Sequence, residues 1–119
     1  MEGVEPEQAP HSRDLLSKLD EAIRCVVKGR ARQVDFEETY RCVYDLVLQH
    51  GRGKEIYDLC VDTFTRMAVF MGRKRYDLGV RLISDLCVYM ERVWARLHNH
   101  GPLLGVANEI YECPRLVAR

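Results

Sequence analysis

Residues 35–48 constrain the fold more than any other part of the chain. They read Asp35-Phe36-Glu37-Glu38-Thr39-Tyr40-Arg41-Cys42-Val43-Tyr44-Asp45-Leu46-Val47-Leu48, and Gly51 follows shortly after. Stepping about 100° per residue from Phe36 places Cys42, Leu46, Val43, Phe36, Val47, Tyr40, Tyr44 and Leu48 on one continuous helical arc. That arc covers roughly 240°, against the ~100° stripe of an ordinary surface helix. Only Glu37, Glu38, Arg41, Asp45 and Gln49 fill the remaining side. Such a helix is either sandwiched inside its domain or offers part of its apolar arc to a partner.

The rest of the chain carries the same helical rhythm. A first helix is expected after Ser12 as N-cap, burying Leu15, Leu16, Leu19, Ile23, Val26 and Val27 and ending at Gly29. A basic connector, Lys28 to Arg32, leads to Asp35, which caps the second helix with Glu38 completing a capping box. His50-Gly51-Arg52-Gly53 reads as a C-cap and turn. A third helix is expected from Lys54 to Met71, on Ile56, Tyr57, Cys60, Phe64, Met67 and Phe70/Met71. Gly72-Arg73-Lys74-Arg75 reads as a break. The longest helix follows, roughly Tyr76 to Leu97, with Tyr76, Val80, Ile83, Leu86, Cys87, Met90, Val93, Trp94 and Leu97 inward.

Gly101-Pro102 ends that helix, and a short fifth one (Leu103 to Tyr111, with Leu104, Val106 and Ile110) stops at Pro114. No strand pattern or repeat is visible. The expected fold is all-α, a bundle of about five helices with short connections. Residues 1–11 form an acidic, disordered lead-in, 12–113 the helical domain and 114–119 a tail.

Composition narrows the function classes. A chain of 119 residues is long enough for one core without staples. Its 18 basic and 18 acidic residues cancel, so no overall field draws it to nucleic acid or membrane. Apolar runs fall far short of the ~20 residues of a membrane span. Five cysteines, an odd number with no CxxC pair, argue against a disulfide framework and a zinc knuckle. Cys25, Cys42, Cys60 and Cys87 lie in helix-periodic apolar stretches, where cysteine acts as a small hydrophobe. A reduced compartment, cytoplasmic or nuclear, is expected.

No catalytic arrangement stands out, and no cofactor or metal is implied. His98-Asn99-His100 lacks further ligands at metal spacing and reads as a polar turn. Cys87 has no base along its own turn to activate it. The basic pairs Arg30/Arg32 and Arg73-Lys74-Arg75 lie in expected turns without interleaved aromatics, so they read as solvated connectors rather than phosphate contacts. Protein binding is left. Tyr40 and Tyr44 stand one turn apart on one edge of the second helix, with Phe36 at its start; Tyr89 borders the stripe of the fourth. Aromatic side chains immobilise a large apolar area through few torsions, which favours them as interface anchors.

At these residues the chain resembles a cullin N-terminal repeat. Val34-Asp35-Phe36-Glu37-Glu38-Thr39-Tyr40-Arg41-Cys42-Val43-Tyr44, then Val47-Leu48, His50-Gly51 and Lys54-Glu55-Ile56-Tyr57, is similar to the second helix of the BTB-binding cullin and the start of its third. Asp85-Leu86-Cys87-Val88-Tyr89-Met90-Glu91-Arg92-Val93-Trp94 is similar to a run late in the same repeat. Fainter similarity covers most of residues 12–112. The segment between the two runs is shorter than in cullins, and nothing after it matches the half of a cullin that holds the RING subunit.

The resemblance implies docking of a BTB-type ubiquitin-ligase adaptor, or a related Skp- or elongin-type one. Phe36, Glu37, Tyr40, Arg41 and Tyr44 would make the first contact, Tyr89 and Arg92 the second. A chain with this half alone is expected to compete with a cullin or sequester its adaptor, as a decoy, rather than act as an enzyme. Three alternatives remain: an N-terminal scaffold fragment that positions adaptors, a nucleic-acid-binding helical module using the basic turns, and a homo-oligomer pairing through the broad apolar helix.

Overall fold

The computed structural model describes residues 4–113, with side chains from His11 onward. The described residues are mostly helical and contain no strand. Six α-helices are present among these residues: α1 (Val4–Val27), α2 (Phe36–Leu48), α3 (Gly53–Phe70), α4 (Arg73–Leu86), the single turn α5 (Val88–Met90) and α6 (Leu103–Glu112). A 3-10 turn (Ala31–Gln33) precedes α2, and α5 runs directly into a π-turn (Glu91–Ala95).

The helix ends follow from local chemistry. Gly29, at φ +79°, stops α1; its own N–H donates to Val26 O, and the Arg30 N–H reaches back to Cys25 O at 2.8 Å. This pair of reversed bonds is the Schellman closure, and the left-handed residue it needs is cheapest as glycine. Asn99 does the same after the π-turn, at φ 62°, with the His100 N–H donating to Ala95 O. At the start of α2 the Asp35 carboxylate accepts from the Glu38 N–H at 3.1 Å, and the Thr39 hydroxyl donates to Asp35 O. Glu38 itself faces Lys18 of α1 across 3.8 Å.

One core joins all the long helices. Leu15, Leu19, Ile23 and Val26 of α1 meet Cys42, Val43 and Leu46 of α2. Ile56, Cys60, Phe64 and Met67 of α3 and Tyr76, Val80, Ile83 and Leu86 of α4 continue it, and Leu103, Ala107 and Ile110 of α6 close it. The Tyr76 hydroxyl, buried with its ring, donates to Ala107 O at 2.6 Å, which fixes α6 on α4. Glu91 accepts the Leu103 N–H at 3.3 Å, supplying an acceptor that Pro102, the N-cap of α6, has no side chain to provide.

Several expectations are corrected. Ser12 is no N-cap: α1 starts at Val4, before it, and the Ser12 side chain is buried and accepts from Arg52 at 3.3 Å. The lead-in expected over residues 1–11 is therefore helical from Val4 onward, residues 1–3 lying outside the described part, as does the tail 114–119. Arg73, Lys74 and Arg75 form the first turn of α4 rather than a break. Three cations at a helix N-terminus oppose its dipole; Arg73 offsets this by pairing with Asp77 at 3.1 Å and lying over the Tyr111 ring. The expected long fourth helix is interrupted at Cys87, which raises the helix count to six. Phe70, Leu97 and Leu104 are exposed, and Leu103 takes the inward place next to Leu104.

Candidate functional site

The arc on α2 is divided by its neighbours. Thr39, Cys42, Val43 and Leu46 are buried, because α1 packs along that face. Phe36 and Val47 at the border are half-buried. The far edge stays in solvent: Tyr40 and Tyr44 are each 39% exposed and Leu48 54%. These three stand at successive i, i+4 positions and form one apolar ridge one turn apart. Glu37 and Arg41 flank it as an exposed pair at 3.1 Å. An exposed pair of this kind contributes little to stability, at most about 1 kcal/mol, so both side chains can rearrange toward a partner.

The break at Cys87 brings the second expected contact to the first. The backbone at Cys87 leaves helical geometry (φ −103°, ψ 19°), and α5 then lies against α2. The Tyr89 ring stands 4.6 Å from the Tyr44 ring, tilted by 42°. Of the seven expected site residues, Phe36, Glu37, Tyr40, Arg41 and Tyr44 share α2, and Tyr89 joins them from α5. Arg92 is exposed but borders a separate groove of about 260 Å³ with Arg96, His100 and Pro102; it makes no ring or ion-pair contact with α2.

Sequence reading missed two features near this surface. Tyr57, Trp94, His98 and His100 form a ring stack, with Trp94 4.3 Å from His98 and Tyr57 4.3 Å from His100. The Trp94 side chain also packs against Gly53, where a Cβ would come within 2.3 Å of it. His98 Nδ1 is 2.9 Å from Trp94 O. The histidine turn is thus a packing element that secures the π-turn to α3. A second unanticipated contact joins Cys60 to Cys87, whose sulfurs are 3.7 Å apart in the core. The hydrogen bond that Cys60 donates there, together with burial, raises its thiol pKa well above the usual range and keeps it protonated.

Among the described residues no three His, Cys, Asp or Glu side chains cluster as metal ligands, and no helix is long and apolar enough to cross a membrane. The fold and this surface define an all-helical protein with an exposed aromatic ridge. No family model and no curated protein matches the chain.

Proposed function

We propose that this chain is a non-enzymatic protein-binding domain that docks a BTB-type ubiquitin-ligase adaptor as a cullin N-terminal repeat does. The observation that supports this reading is the Tyr40–Tyr44–Leu48 ridge with Tyr89 packed at its side. The two runs that resemble a cullin lie far apart in sequence, and Tyr44 of the first stands ring to ring with Tyr89 of the second. Tyrosines on rigid helices suit this task, since their ordering cost on binding is small and each presents apolar area with a hydroxyl at its tip. Because the ridge would cover the adaptor surface a cullin uses, the chain and a cullin would exclude one another. Its action is then to inhibit ligase assembly by competition or sequestration in the cytoplasm or nucleus.

The test is calorimetric titration of a purified BTB-domain adaptor into the full chain. Phe36→Ala or Tyr40→Ala should each weaken binding by about 2 kcal/mol, roughly thirtyfold. Binding that is unchanged in both variants removes this surface from consideration.

A further inference from the structure

A groove of about 420 Å³ runs between the C-terminal half of α1 and the last turns of α3, on a different face of α1 from the one that meets α2. Its floor is apolar: Ile23 and Met67 are buried beneath it and Val27 is half-buried. Phe70 stands at its end with 65% of its surface in solvent, more than any other large aromatic among the described residues. The rim carries Arg24, Lys28 and Arg66 against a single carboxylate, Asp20. That carboxylate is taken, since Arg24 holds it at 2.9 Å. Among the described residues Lys28 and Arg66 have no carboxylate partner, and Arg75 adds a further cation where its guanidinium donates to Val27 O at 3.4 Å. In a chain whose charges sum to zero, this rim has a local excess of positive charge.

We infer that this groove is a second docking site, for an acidic amphipathic helix of a partner protein. A trough between two helices accepts a third helix through apolar anchors on one of its faces. Phe70, Val27 and the Met67 floor would receive those anchors. Lys28 and Arg66 would meet carboxylates along the helix flanks and select an acidic partner over a basic one. The apolar floor favours such a helix over a polyphosphate, which would use the cations alone.

The site is independent of the α2 ridge, and a single experiment separates them. The probe is a dye-labelled synthetic helix with Leu and Phe on one face and Glu on its flanks, titrated into the full chain by fluorescence anisotropy. Saturable binding is expected, with Phe70→Ala weakening it about tenfold or more at an unchanged unfolding midpoint. The Lys28→Glu/Arg66→Glu double variant should lose the probe and regain binding to a version with Lys in place of Glu. Tyr40→Ala should leave probe binding untouched. Four results would overturn the assignment: no saturable binding, equal binding of a scrambled probe, indifference to Phe70→Ala, or stronger binding to heparin or phosphatidylserine vesicles than to the probe.

Discussion

Tyr44 and Tyr89, on different helices, hold their rings 4.6 Å apart. The contact covers one side of Tyr44 and leaves the other facing solvent, so the ring is fixed in place before any partner arrives. Tyr89→Ala would release it. The expected cost is about 1 kcal/mol in adaptor affinity through lost preorganisation, with a stability loss of similar size from the vanished ring pair. Paired calorimetry and urea titrations on the variant and wild type check both numbers.

Tyr40, by contrast, has no ring partner among the described residues and belongs to the exposed edge. Tyr40→Ala should therefore change folding stability by no more than about 0.5 kcal/mol, as surface substitutions generally do. A urea midpoint shifted well beyond that would mean the ring supports the fold and that the binding data on this variant reflect unfolding.

Gly53 cannot accept a side chain without moving Trp94, whose Cγ would lie 2.3 Å from the new Cβ. Gly53→Ala is expected to cost about 2 kcal/mol, the scale of an overpacked contact. Trp94 is the only tryptophan, so its emission should shift to the red in the variant as the indole leaves the Gly53 backbone. Unaltered emission together with wild-type stability would contradict the packing described.

Tyr76 sets an alkaline limit on the fold. Burial pushes its phenol from an ordinary 10.0 up to about 12, so the folded state holds the proton more tightly than the unfolded chain does. The stability this gives is complete below the unfolded value and is lost as pH rises from about 10 toward 12. The buried thiols of Cys42 and Cys60, also raised, extend the loss to somewhat lower pH. Urea midpoints should fall across this window, and Tyr76→Phe should flatten the slope. At neutral pH the same variant is expected to be less stable by about 1 kcal/mol, since the hydroxyl no longer donates to Ala107 O.

Most of the helical core was readable because period and caps agree. Asp35 and Gly29 end their segments where their chemistry requires, and the inward residues of α1, α3 and α4 recur at helical spacing. The misreadings have specific causes. Ser12 has the chemistry of an N-cap, but its hydroxyl is used by Arg52, forty positions away, which no local pattern reports. The interruption at Cys87 lacks the Pro or Gly that normally marks one; it coincides with a tertiary contact to Cys60. Phe70 fits the apolar stripe of α3, yet among the described residues it lies at the edge of the groove beside α1 with 65% of its surface in solvent. The division of the α2 arc into buried and exposed halves needed α1 in place, whereas the excess of apolar surface was plain from the residues alone.

The most direct measurement is displacement of a labelled cullin N-terminal repeat from a BTB-domain adaptor by the unlabelled chain. Progressive displacement is expected from the wild type, with the Phe36→Ala/Tyr40→Ala double variant needing at least about thirtyfold more protein for the same effect. A cullin repeat that stays bound at saturating chain, or equal displacement by wild type and double variant, would contradict the account.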